Sequence, residues 1–373
     1  MDQNSQKIMR RLNPNRIWLP VGIGLAATAY LFVSEYDWED LRLLASASIG
    51  SLLLALIVLA VRDGGYIYRL RHLTGRELSW RSSFFGIMLW EFASAVTPSA
   101  VGGTAIAVFI LTKEGLKFGR ALAFVMLTAV LDNLFFIVAS TLALLLMYDD
   151  IFPDISELNV GLERGFVYFF VLSYALIAFY TFVMGFALFF RPRGVKWLLL
   201  RLTGWKLLRK WRPAANEQGN EIIMAAAELR GKGFVYWARA ALSTVLVWSA
   251  RYLTMNVIIV AFTPVSLSEH VLIFFRQVVM WVTMLISFTP GAAGLAEIAF
   301  NAFFEDFLGE FSAAVVLLWR AFSYYLYLII GALLLPRWLA RVVKIPKKRK
   351  DPEVASLRPE NEARPPAYEE PRS

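Results

Sequence analysis

The sequence predicts an all-α polytopic membrane protein with about six full spans and two re-entrant helical hairpins related as an inverted repeat. That makes eight apolar helical segments when each hairpin is counted once. Three observations predict it. Hydrophobic residues make up 58% of the 373 positions and mean hydropathy is +0.55, above the roughly 45–50% apolar content of soluble domains. Several runs nearly free of charge are long enough to cross a hydrocarbon layer of about 30 Å. Finally, one interruption occurs twice: "TPSAVGGTAIA" from Thr97 and "TPGAAGLAEIA" from Thr289 share a Thr-Pro-x-Ala-x-Gly core at corresponding positions.

The elements follow in order. The basic opening "MDQNSQKIMRRLNPNR" precedes an apolar run at 17–34. With no small-x-small cleavage pattern before the acidic "EYDWED", this run is expected to be a retained helix. Further spans are expected at 41–61, 121–147, 163–190, 236–262 and 311–335, the last ending at Pro336. The runs 84–112 and 270–308 hold the interruptions. The first is short for two crossings of about 20 residues each, so each run reads as a hairpin that returns to its starting side. Segment 191–235 mixes Trp and Leu with Arg and Lys. It reads either as an amphipathic helix on the inner leaflet or as a basic loop with one packed helix. A basic N-terminus, 1–16, thus precedes a transmembrane domain at 17–340 with repeat units at about 41–147 and 236–335. The tail, 341–373, is basic and then proline-rich and polar, which predicts disorder; its "PPAY" is a short peptide-ligand pattern.

Charge sets the orientation. Segments 1–16, 62–83, 113–120, 191–235 and 336–373 hold roughly 32 of the 38 Lys and Arg, while "EYDWED", "YDDIFPDISEL", "TPVSLSEH" and "FFEDFLGE" hold none. The positive-inside rule places the first set in the cytoplasm, with both termini, and predicts a multi-pass protein of the cell membrane. It also accounts for the net charge of +9 without nucleic acid. The two hairpins then open to opposite sides, an arrangement that builds alternating-access carriers. The absence of cysteine excludes thiolate metal sites and disulfides. His72 and His270 stand alone, so neither a metal nor a cofactor is expected.

The interruptions suit a polar site. Proline removes an amide donor and glycine permits non-helical torsions, so Thr97–Gly103 and Thr289–Gly294 are expected to be unwound. Helix N-termini would then fall near Gly102, Gly103 and Thr104 and near Gly294, where free N–H groups favour an anion. Charges at membrane depth are pathway candidates: Glu91, Asp132, Arg251, Arg276, Glu297 and Arg320. The repeat offset maps Arg320 onto Thr128, one turn before Asp132, and predicts that Arg320 and Asp132 face one central cavity. Glu297 lies in the first turn after its break and serves either as a cap or as a ligand contact. Arg276, near a span end, is placed to snorkel to the interface. The candidate substrate-binding set is therefore Arg251, Arg320, Asp132, Glu91, Gly102, Gly103, Thr104, Gly294 and Glu297, with no catalytic residue.

These residues carry a resemblance. "TPSAVGGTAIAVFILTKEGLKFGRA" followed by "LTAVLDNLFF", and "TPGAAGLAE" followed by "LLWRAFSYYLYL", resemble the transmembrane flippase domain of the lysylphosphatidylglycerol synthases and their stand-alone relatives over roughly residues 15–340. The family often carries an acidic and then a basic residue where this chain has Thr104 and Ala107, which separates the expected headgroup from the family's. The tail is too short for the soluble aminoacyl-transferase domain. What the resemblance implies is lipid translocation without synthase activity.

The leading expectation is a flippase for an anionic or zwitterionic phospholipid, or an isoprenoid-linked lipid, working in the bilayer and compatible with a homo-oligomer or a partner lipid-modifying enzyme. An ion- or proton-coupled carrier of a small solute is the alternative. A lipid-carrier transferase using the outer acidic loops, at Asp149 or Asp150, stands third.

Overall fold

The computed structural model describes residues 42–97, 100–153, 156–205, 208–285 and 295–343, with side chains except those of 100–102, 156–164, 295–298 and 343. The described residues are helical throughout, in twelve main helices. They are α1 (Ile49–Leu73), α2 (Trp80–Val96), α3 (Ala100–Lys113), α4 (Phe118–Ile151), α5 (Ser156–Gly185), α6 (Pro192–Leu202), α7 (Arg212–Arg230), α8 (Phe234–Val260), α9 (Leu267–Met284), α10 (Leu295–Leu308), α11 (Ser312–Arg320) and α12 (Leu326–Val343). Five helical stretches are long and apolar enough to span a membrane: Ile49–Leu73, Phe118–Ile151, Gly165–Phe190, Phe234–Val260 and Ala299–Val342. They correspond to five of the six expected spans; the sixth, 17–34, lies outside the described residues, as does the tail.

Local chemistry sets the helix ends. The Ser48 and Ser79 side chains accept from the backbone N–H of Ser51 and Ser82, and Ser266 with Glu269 closes a full capping box on α9. Helix α1 ends where Gly75 takes φ +62° and the Arg76 N–H reaches back to the Arg71 carbonyl. Gly115 (φ +115°) and the Leu116 N–H on Leu111 O end α3 in the same way.

The first interruption is narrower than expected. Thr97 caps α2 in an extended conformation (ψ 136°), the conformation that a following proline imposes. Helix resumes at Ala100, so Gly102 and Gly103 are helical and not unwound. Gly103 serves helix contact: a Cβ there would lie 2.3 Å from Ser94 Oγ and 3.1 Å from Ser94 Cα on α2. A Cβ on Gly86 would meet Leu111 about two turns further out. The two contacts run in opposite directions along the chain, so α2 and α3 pack antiparallel.

Other expectations are also corrected. The span set at 41–61 begins at Ile49 and continues to Leu73, carrying Arg62, Asp63 and Arg69 within the helix. Within it Gly65 brings α1 close to α8: a Cβ there would lie 2.6 Å from Val247. The last span does not end at Pro336. It runs through a π turn (Ala321–Tyr325) and past Pro336 to Val343, held by Trp338, whose indole N–H donates to Glu114 Oε1 at 2.6 Å. Arg341 pairs with the same carboxylate. Arg276 does not snorkel. It is buried, donating through Nε to Asp150 O and through Nη1 to Phe303 O, both at 2.9 Å, and to Asp306 Oδ2 at 3.1 Å. Those carbonyls lie in the last turns of α4 and α10, where a cation is favoured. Segment 191–235 contains both of its alternatives: α7 packs through Ile222, Ala225, Ala226 and Leu229, while α6 leaves Trp197, Leu198 and Leu202 exposed.

The bundle has two chemically distinct ends. At one, His72 meets Tyr236 O at 3.0 Å, Arg120 pairs with Glu77 at 2.5 Å and with Glu228 at 2.9 Å, and Lys117 pairs with Glu221 at 2.6 Å. The loops around α1–α2, α3–α4 and α7–α8, read as basic in the sequence, thus gather together. At the other end, Ser48 N donates to Ala261 O at 2.8 Å and Thr263 Oγ1 to Phe307 O at 3.4 Å. The helix pair α2–α3 enters and leaves at the first end; α9 begins and α10 finishes at the second.

Candidate functional site

Between the ends, α1, α2, α4, α5 and α8 surround a cavity of about 680 Å³. Helical periodicity aims their polar residues inward. On α1, Leu59, Arg62, Tyr66, Arg69 and Leu73 recur at three- and four-residue steps and all are buried. The same spacing recurs for Thr244, Trp248 and Arg251 on α8, for Thr128 and Asp132 on α4, and for Ser173, Ile177 and Tyr180 on α5, all of which line the cavity or its ion pairs. The arginines of α1 occupy positions that a core helix normally gives to leucine.

Two ion clusters form. In the first, Arg62, only 1% exposed, donates through Nη2 to Glu91 Oε1 at 2.5 Å and through Nη1 to the Tyr327 hydroxyl at 2.9 Å. Tyr327 passes its own proton donor to Asp63, 2.9 Å from both carboxylate oxygens, and Arg62 Nε lies 3.7 Å from Asp63. Arg251 approaches the same Glu91 oxygen from α8 at 3.6 Å. In the second cluster Arg69 grips Asp132 with both terminal nitrogens and reaches Thr244 Oγ1 at 3.1 Å. The Trp248 indole N–H donates to Asp132 Oδ1 at 2.7 Å, and its ring carries the Arg251 guanidinium 5.4 Å from its centroid. Trp248 therefore joins the clusters. Three arginines and three carboxylates balance, which is the condition for holding charge at this depth without a large desolvation cost.

Aromatic rings form the rest of the wall. Phe136 stacks on Trp281 (3.9 Å between centroids, 11° between planes) and meets Trp248 edge-on at 4.5 Å. The α5 wall is apolar: Leu176 and Tyr180 line the cavity and are 53% and 44% exposed. Their neighbours Leu172, Phe179 and Phe182 are exposed too. This wall lies in the middle of a helix composed to face lipid, away from either end of the bundle.

Of the residues singled out from the sequence, the structure brings Glu91, Asp132, Arg251 and Thr104 together around this cavity. Gly103 packs beside it against Ser94. Arg320 is not among the described residues that line it; Arg320 is buried between the Trp319 and Tyr324 rings, 5.2 Å and 5.7 Å from their centroids. A π turn, Ala321–Tyr325, follows Arg320 directly, and α4 has none after Asp132. Gly102 is described as helical backbone only, Gly294 and the second interruption lie outside the described residues, and so does the Glu297 side chain. Sequence reasoning missed Arg62, Asp63, Arg69 and Tyr327. The signal was present: Arg62, Tyr66 and Arg69 sit at i, i+4 and i+7, one stripe of a helix, but "RDGG" reads as a loop.

Comparison with known proteins agrees with this architecture. A "UPF0104 membrane protein" of Archaeoglobus fulgidus (strain ATCC 49558 / DSM 4304 / JCM 9628 / NBRC 100126 / VC-16) is 22% identical over 321 residues, covering 83% of this chain and 93% of that one. The sequence model of the lysylphosphatidylglycerol synthase TM region matches residues 17–331. The chain is therefore a multi-pass membrane protein and belongs to the lysylphosphatidylglycerol synthase transmembrane-region family.

Proposed function

We propose that this chain translocates a phospholipid, or an isoprenoid-linked lipid, by passing the headgroup through the cavity while the chains stay in the bilayer. One observation carries the reading: a cavity lined by paired buried ions is walled on one side by Leu176 and Tyr180, which are themselves exposed on an apolar helix surface where a sideways slot would lie. A small-solute carrier needs a mouth at a water-facing end; a lipid carrier needs a slot toward hydrocarbon.

The alternation mechanism is also a proposal. Helices α2 and α3 hold 17 and 14 residues, about 26 and 21 Å at 1.5 Å per residue, short of the roughly 30 Å hydrocarbon layer. That supports a re-entrant hairpin. The pair α2–α3 returns to one end of the bundle and α9–α10 to the other, which supports an inverted pair of units rocking about a fixed site. In this reading the basic end, with both chain termini, faces the cytoplasm of a cell-membrane protein, Glu91 and Asp132 exchange arginine partners as the cavity opens, and no bond of the lipid is made or broken.

The test is reconstitution into unilamellar vesicles containing fluorescently headgroup-labelled phosphatidylglycerol, with membrane-impermeant reductant added outside. Protein-dependent loss of the protected inner-leaflet signal, slowed at least tenfold by Asp132→Asn, is expected. Uptake of soluble solutes with no lipid movement would replace this reading with a coupled carrier.

A further inference from the structure

The partners of the cavity charges are unequal, and the inequality names the ligand. Asp132 is engaged by Arg69 twice and by Trp248; Glu91 is held by Arg62 at 2.5 Å. Arg69 also donates to Thr244, and Arg62 to the Tyr327 hydroxyl with Asp63 3.7 Å from its Nε. Arg251 differs. Among the described residues its one ion pair is 3.6 Å long, to a carboxylate oxygen that Arg62 already occupies, and its guanidinium otherwise lies over Trp248 with the side chain 27% exposed. A guanidinium carries five donors in a planar fork, so most of that capacity points into the cavity unused. Ser173 supplies the second, independent observation. It lines the cavity from α5 at 1% exposure, and its hydroxyl is buried without a hydrogen-bond partner among the described residues. Such a group is costly to leave unpaired.

We infer that Arg251 and Ser173 form a phosphate-binding site, and that the cavity takes an anionic headgroup and not a cationic one. This deepens the lipid-translocation reading and rests on it for the source of the phosphate. A cationic headgroup would have to strip Glu91 from Arg62 or Asp132 from Arg69, stranding a buried arginine. A phosphate only has to draw Arg251 off its long contact with Glu91, and Arg62 keeps that carboxylate neutralised meanwhile. Arg62 is thus a positioning residue: by holding Glu91 it leaves Arg251 available. The planar fork then meets phosphate oxygens with two parallel hydrogen bonds, and the Ser173 hydroxyl donates a third.

The measurement is ligand-dependent quenching of tryptophan fluorescence in detergent-solubilised full-length protein, since Trp90, Trp248 and Trp281 line the cavity. Probes are short-chain phosphatidylglycerol, a lipid with the same chains and a trimethylammonium headgroup, and inorganic phosphate. Phosphatidylglycerol is expected to bind at least tenfold tighter than the cationic lipid. Arg251→Gln should weaken it roughly 10- to 100-fold, the range for a charge-assisted pair of hydrogen bonds. Ser173→Ala breaks no internal hydrogen bond, so it should fold normally and weaken binding by about threefold to tenfold. Equal or tighter binding of the cationic lipid, or unchanged affinity in both variants, overturns the inference. Inorganic phosphate binding as tightly as the lipid, with the same dependence on Arg251, would sustain the phosphate site while removing lipid as its source. Lipid movement in vesicles without preference between the two headgroups would sink the site and leave the translocation reading standing.

Discussion

Replacing Arg62 with methionine tests the architecture most directly. The side chain is 1% exposed and touches Glu91, Asp63 and Tyr327 at once. Methionine fills much of the volume, so the loss is electrostatic: Glu91 and Asp63 are left buried with one fewer cation. Removing one partner of a buried ion pair costs about 3–5 kcal/mol. Arg251 stands 3.6 Å from Glu91 and can close that gap, which puts the expected cost at the lower edge, about 3 kcal/mol. That is roughly a hundredfold in the folding equilibrium. Neutral hydrogen bonds between membrane helices average only about 0.6 kcal/mol, so the size of the effect separates an ion network from ordinary polar packing. Adding Glu91→Gln to Arg62→Met removes the stranded charge and should recover more than half of the loss. The assay is reversible unfolding in mixed micelles, followed by tryptophan fluorescence, across the double-mutant cycle. A stability change for Arg62→Met below about 0.5 kcal/mol, the level at which independent sites are indistinguishable from additive, would refute the reasoning.

The remaining predictions concern packing and the basic end. Gly65→Ala drives a methyl against Val247, 2.6 Å away, and should cost about 1–3 kcal/mol; Val247→Ala in the same chain should restore most of it, measured by the same unfolding curves. Glu114→Gln weakens the hold on Trp338 and Arg341, so amide exchange should quicken in the last turns of α12 beyond Pro336 and remain unchanged in α8. Hydrogen bonding from Lys232, with Arg120 beside it, holds the Glu228 carboxyl below its ordinary range. Its stabilising contribution is therefore present above that range and lost as pH falls through the depressed value. Glu228 is over a third exposed, so the effect is at most about 0.5 kcal/mol, visible as faster exchange across Arg212–Arg230 at acid pH or high salt.

Much of this protein was legible without coordinates. Hydrophobic composition and run length decide membrane residence because lipid demands internally hydrogen-bonded apolar helices, and five of the expected spans reappear. The Thr97-Pro98 stop was readable because proline acts on its immediate neighbour, and the basic loops identified themselves by composition and meet at one end of the bundle. Glu91, Asp132 and Arg251 stood out because each lies alone in an apolar run, where charge is conspicuous.

What the sequence by itself could not decide was where charge near a span boundary goes. Arg62, Asp63 and Arg69 read as a cytoplasmic loop beside "GG", yet they line the interior. Their partners, Tyr327 and Thr244, lie 265 and 175 positions away along the chain. Gly103, expected in an unwound stretch, and Gly65 instead allow helices to touch, and Arg320 packs beside the Trp319 and Tyr324 rings. Local pattern determines which segments become helices, because backbone hydrogen bonding acts within a few residues. Whether an arginine can be buried depends on which carboxylate the folded bundle brings to it, and only the tertiary structure supplies that partner.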